Sequence, residues 1–309
     1  MSNIANVLQV VLPIIAALGL GVYSKRRKLI GESVIDGIKT LVMQFMLPAV
    51  LLGAFYKNVF SAKLVILALC MFGVCLIGWG CGAVIGRFFT GGGQMLPFLT
   101  TGFEAGMMGY GLYAMLYPAS EAYNFALVDL GQVVFVFTVY MALLNRQKNI
   151  SIGQTLKGMM TSKVFLAIAI GVILSAAKIG PVIAQSDAGA VIDSVLNYIS
   201  APTGVLMLFV VGYQLVFDRS SVKSALVTTL IRSAIMLVLG SLCLLTLRAL
   251  IPMEAPLTWA VILMFTLPAP FVLPIFSHDE AQAGYIATSL SLGTLLSVAL
   301  FIIISVVRV

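Results

Sequence analysis

The sequence holds few residues able to do chemistry, and they stand where they cost most. Glu104 lies in the stretch TGFEAGMMGYG (residues 101–111), which puts four glycines and a carboxylate inside an otherwise apolar run. A charged side chain at the centre of a bilayer costs about 2.5–3.5 kcal/mol on insertion scales. An acid kept there predicts a group that couples an ion or a proton; the alternative is a structural acid bonded to backbone N–H groups of a broken helix. Asp129 and Gln132, three residues apart, share one helix face, as do Thr288 and Ser291. Met107, Met108 and Tyr110 fall within the same interruption, as substrate contacts or, for the methionines, as gap fillers. Arg232 lies inside a span, where it pairs with an acid, binds an anion or, as is commonest, snorkels to the interface.

Other chemistry is poorly served. No nucleophile triad, phosphate-binding loop or His–Cys cluster is legible, so the reading is not that of an enzyme, and no resident cofactor is expected. Cys70, Cys75, Cys81 and Cys243 lack metal-ligand spacing and read as small apolar groups without disulfide partners. His278, Asp279 and Glu280 read as a solvated turn.

The elements that must position these residues are membrane spans. Of 309 residues, 61% are hydrophobic and 9% charged, against about 25% charged in soluble domains. Apolar runs of about 18 or more residues mark transmembrane helices. Ten are marked, near 4–22, 34–55, 63–87, 95–116, 122–144, 163–179, 190–215, 223–249, 256–276 and 281–307, the first read as a retained helix and not a signal peptide. The fold class is therefore an all-α polytopic membrane protein embedded in a lipid bilayer. Gly78, Gly82 and Gly86 form a small-residue ridge for close helix packing. Twelve Lys and Arg residues fall on one side of the membrane and five on the other. The richer side should be cytoplasmic, with both termini outside, in the cytoplasmic membrane. This bias accounts for the net charge of +7 without nucleic acid.

The two halves, 1–160 and 161–309, echo each other. Glu121-Ala122 returns as Glu280-Ala281 and Pro97 as Pro256, both 159 positions on; Lys63 returns as Lys223, Arg87 as Arg248, Phe60 as Phe217 and Pro48 as Pro202 at similar offsets. Five spans per half make the repeats inverted in topology, an architecture of secondary transporters whose sites lie at the midplane, beside broken helices. Adding 159 to Gly109-Tyr110-Gly111 gives Pro268-Ala269-Pro270. Spans 4 and 9 are thus predicted to be broken and to cross, glycines interrupting one and prolines the other. Irregular backbone at this depth is tolerated only in protein or beside a water-filled cavity.

At these residues the sequence resembles the auxin efflux carrier family. The likeness rests on Phe45-Met46-Leu47-Pro48-Ala49-Val50-Leu51-Leu52 in span 2, on Glu104-x-Gly106-x-x-Gly109-x-Gly111 in span 4, on Leu267-Pro268-Ala269-Pro270 in span 9 and on Thr294-Leu295-Leu296-Ser297 in span 10. Span 4 departs from the family's Asn-x-Gly-x-x-Gly-x-Pro: Glu104 stands for Asn and Gly111 for Pro. The resemblance, and a more distant one to bile acid:sodium symporters, implies a scaffold of spans 1, 2, 6 and 7. A transport unit of spans 3–5 and 8–10 would move as an elevator, within a homodimer. It implies a small organic anion as substrate, a mono- or dicarboxylate.

Together these readings predict a secondary transporter with its substrate and ion site at Glu104, Gly106, Met107, Met108, Gly109, Tyr110, Asp129, Gln132, Pro268, Ala269, Pro270, Thr288, Ser291 and Thr294. Glu104 and Asp129 are the candidate ligands for Na⁺ or H⁺. The second reading, prompted by the Glu-for-Asn departure, is a cation/proton antiporter.

Overall fold

The computed structural model describes residues 3–59, 61–88, 93–147 and 152–308. Phe60, named above, and Lys148, one of the twelve basic residues counted on one side of the membrane, lie outside the described residues. The described chain is helical, without strands. Among the described residues seven helices are long and apolar enough to cross a membrane: α1 (Asn3–Arg26), α2 (Glu32–Tyr56), α3 (Ala62–Gly86), α5 (Ala119–Arg146), α7 (Asp187–Gln214), α8 (Val222–Leu250) and α10 (Glu280–Arg308). They mark a multi-pass membrane protein. Shorter apolar helices are α6 (Lys163–Ala176) and α9 (Ala255–Thr266), and α4 (Tyr110–Leu116) is shorter still.

Proline explains two irregularities. It removes an N–H and crowds the carbonyl four residues back. In α2 a π-helical stretch, Val42–Met46, precedes Pro48. In α7 helical pairing is interrupted at Ala201 and Pro202, between Asp187–Ser200 and Thr203–Gln214. Between α5 and α6, Ile152–Thr161 forms a helix of its own.

The closest helix pairings fall into two groups, which also touch each other. α1 lies along Thr203–Gln214 of α7, and α6 lies along Leu47–Tyr56 of α2. In the other group α3 packs on α5 and on α8, and α8 packs on α9 and α10. The first pairings are close because glycines let backbones meet. A Cβ on Gly21 would fall against the Phe209 carbonyl and 2.6 Å from the Tyr213 nitrogen, and one on Gly171 of α6 would fall 2.7 Å from Phe55 Cβ and 3.4 Å from the Tyr56 nitrogen. The ridge on α3 behaves as expected: Gly78 lies against the Thr100 carbonyl and Gly82 against Pro97.

Overpacking of this kind costs about 1–3 kcal/mol. Gly21→Ala should therefore lower the thermal unfolding midpoint in detergent. Gly19→Ala, where an added methyl meets nothing within 4 Å, should leave it unchanged or raise it.

Candidate functional site

The region of span 4 is interrupted as expected, but not at the glycines first marked. A short helix, Leu96–Leu99, ends at Thr100; residues 101–104 are non-helical; a π-helical turn, Ala105–Gly109, then leads into α4. The break thus lies at Thr101–Glu104, and Gly109-Tyr110-Gly111 is helical. Gly102 is the glycine the break requires, with φ +66° in the left-handed region. The other glycines serve close approach. A Cβ on Gly109 would fall 2.8 Å from Leu267 Cδ1, one on Gly111 would lie 3.4 Å from the Gly204 carbonyl oxygen, and one on Gly106 3.6 Å from Leu47 Cδ2. The second interruption follows α9: residues 267–272 are non-helical before the turn Leu273–Phe276.

The two breaks touch. Glu104 N–H donates to the Pro268 carbonyl at 2.9 Å. The Glu104 side chain then joins both onward segments: Oε1 accepts from Met107 N at 3.0 Å and Oε2 from Phe271 N at 2.6 Å. A carboxylate at the N-terminus of a helix meets unpaired N–H groups and the positive end of the peptide dipoles. Glu104 fills that role for the turn leading into α4, and reaches across to a freed N–H of the other break.

The carbonyl ends meet Arg232. Its Nη1 donates to Leu99 O (3.0 Å) and Thr101 O (3.4 Å), and its Nη2 to Gly102 O (2.7 Å) and Leu267 O (3.0 Å). The guanidinium also lies 5.6 Å from the Phe103 ring centroid, within cation–π range. The snorkelling expected of this arginine is corrected: it is 7% exposed and turned inward. Four carbonyls released by two breaks supply what water would otherwise provide. Thr101 Oγ1 bonds to Cys75 O on α3 at 2.5 Å, and Ser297 Oγ bonds to Thr266 O at the end of α9.

Asp129, 4% exposed, joins the same network. Tyr110 Oη donates to its Oδ2 at 3.1 Å, and Gln132 Nε2 donates to its Oδ1 at 3.1 Å and to Phe103 O at 3.0 Å. Gln132 Oε1 is buried without a hydrogen-bond partner. Met108 is buried in the core, while Met107 packs against Ile35, Val210 and Tyr213 of α2 and α7. Ala269 is buried, and Pro270 Cγ lies 2.9 Å from where a Gly102 Cβ would be.

Thr288 and Ser291 are not bonded to the breaks. They accept from Asp218 N and Val216 N, each at 2.9 Å, and so hold the chain that leaves α7. The Asp218 carboxyl in that connection lies below the ordinary carboxylate range because the Ser220 and Ser221 hydroxyls donate to it. Ser291 and Thr294 border a 70 Å³ cavity with Gln214, Phe271 and Pro274. Thr294 Oγ1 bonds within its own helix, to Leu290 O. A larger cavity of 580 Å³ opens between α1, α2 and α7 on one side and α4 and α5 on the other. Lys57, Tyr110, Tyr117, Asn197, Ser200 and Thr203 are among its lining residues. The Thr203 hydroxyl is buried without a partner.

The structure joins four of the sequence-predicted residues, Glu104, Asp129, Gln132 and Tyr110, in one network; Arg232 and Ser297, noted from the sequence but left out of the predicted site, and Thr101, which was not singled out, belong to it as well. Arg232 was legible in principle. A guanidinium deep in a span needs acceptors, and two broken helices nearby supply carbonyls.

Leaving a buried polar group unpaired costs about 1–3 kcal/mol. Arg232→Met should lower the unfolding midpoint more than any other single change at the breaks, with Arg232→Lys recovering part of the loss. Glu104→Gln, which keeps one acceptor oxygen, should cost less. An unchanged midpoint in Arg232→Met would contradict this assignment. No protein-family model and no curated protein matches this chain.

Proposed function

We propose that the protein is a secondary active transporter, with an elevator movement, for a small organic anion across the cytoplasmic membrane, coupled to Na⁺ or H⁺. The observation that supports the reading is the contact of two interrupted helical segments, joined by Glu104 N–H to Pro268 O and closed by one arginine and one glutamate.

Ten spans in two inverted five-helix repeats complete the reading. Helix pairing supports it: under the offset of the repeat, the pairing of α1 with α7 corresponds to that of α6 with α2. Gly21 and Gly180 are 159 positions apart, and each meets a segment containing one of two tyrosines, Tyr213 and Tyr56, that are 157 apart. The unit of α3–α5 and α8–α10 carries the crossing and moves against α1, α2, α6 and α7, in a homodimer with both termini outside. The cavity beside Tyr110 lies on that boundary and receives the anion. The unpaired Thr203 hydroxyl offers a donor there, and Lys57 lines the same cavity with its ammonium 3.5 Å from the Asp193 carboxylate.

Coupling follows from charge. Two buried carboxylates and one buried guanidinium leave the crossing one positive charge short when both acids are ionised, and an unpaired buried charge is costly. A proton or Na⁺ meets that deficit, and Gln132 Oε1 supplies a hard, unpaired oxygen beside Asp129.

One observation favours the second reading, a cation/proton antiporter. The N–H groups that would greet an anionic substrate are already held by the chain's own carboxylate at Glu104.

Uptake of labelled mono- and dicarboxylates into proteoliposomes, with Na⁺ or pH gradients imposed, tests both. Gradient-driven accumulation is expected, falling at least tenfold in Glu104→Gln. If Glu104→Gln leaves uptake and its gradient dependence unchanged, the coupling role is wrong. Na⁺-driven pH change with no organic substrate would transfer the protein to the antiporter class.

A further inference from the structure

Cysteines read from sequence as isolated prove to be neighbours. Cys70 Sγ on α3 lies 3.7 Å from Cys243 Sγ on α8, and Met71 Sδ lies 4.0 Å from Cys243 Sγ. Met71 is 0% and Cys243 3% exposed, while Cys70 is half-buried. Three sulfur atoms from opposite halves of the chain therefore gather between two helices, Cys70 being less buried than Cys243 and Met71.

We propose that Cys70, Cys243 and Met71 form a binding site for a soft monovalent metal ion of the Cu(I) class. Two thiolates and a thioether are soft donors, the set that selects Cu(I) over harder ions. Spacing agrees as well. With a metal–thiolate bond of about 2.3 Å, two sulfurs on one ion at a trigonal angle stand about 4.0 Å apart. Both measured separations are close to that value without helix movement. A disulfide would require the thiols to close to about 2.05 Å. Harder ions are less well served: among the described residues no three His, Cys, Asp or Glu groups gather as metal ligands. Each thiol that ligates gives its proton to water, and no electron is transferred.

The bound ion ties α3 to α8, the two helices that grip the crossing through Cys75 O and Arg232. The site is independent of what the protein transports.

Silver ion, a Cu(I)-class ion that needs no reductant, is the probe. Full-length protein in detergent is loaded with Ag⁺ and desalted against excess free methionine. Wild type should retain one Ag⁺ per chain and unfold at a higher temperature, since a ligand that binds only the native state stabilises it. Cys70→Ser and Cys243→Ser should each retain at least tenfold less, Met71→Leu a few-fold less, and Cys81→Ser the wild-type amount. Cys243→Ala replaces Cys243→Ser if the latter fails to fold. Equal retention by wild type and the Cys70→Ser/Cys243→Ser double variant overturns the site. So does purification of the pair as a disulfide that takes up no silver after reduction.

Discussion

A backbone that leaves the helix inside a membrane must find partners for its own N–H and C=O groups, because hydrocarbon offers none. Two interruptions facing each other multiply that demand. Here two side chains meet much of it: Arg232 gives four hydrogen bonds to carbonyls from both breaks, and Glu104 accepts from one N–H on each side. The rest of this bundle is arranged around that exchange. α8 must pass close enough to deliver Arg232, α3 must accept Thr101, and α10 must bring Ser297 to the end of α9. The glycines of α3 allow the first break to come within reach.

Glu104 links the structure to the proposed function. Its carboxylate holds the two breaks together by accepting from Met107 and Phe271, and a carboxylate accepts charge-assisted hydrogen bonds more strongly than a neutral acid does. Any change in its charge, by protonation or by a nearby cation, changes how firmly the breaks are joined. The structural role of this residue and the coupling role proposed for it would therefore rest on one arrangement. Asp129, reached from Tyr110 on one side of the first break and through Gln132 from Phe103 within it, extends that sensitivity to α5.

Much of this was legible from hydropathy. The long spans, the interruptions near Glu104 and Pro268, and the face shared by Asp129 and Gln132 follow from composition and spacing. What was not legible depends on contacts between distant segments. Gly109 and Gly111 looked like helix breakers because glycine has low helix propensity, yet they let helices approach Leu267 and Gly204. Thr288 and Ser291 share a face as read, but their partners are Val216 and Asp218, which no periodicity reveals. Cys70 and Cys243 are 173 residues apart and meet only because α3 packs on α8.

The central claim is that one carboxylate holds two breaks more than 160 residues apart in sequence. Amide hydrogen exchange on wild type and Glu104→Ala, read in peptides spanning 104–110 and 268–276, tests it most directly. Faster exchange in both segments together, with α1 and α6 unchanged, is the predicted result. Faster exchange in only one of them, or in neither, would contradict it.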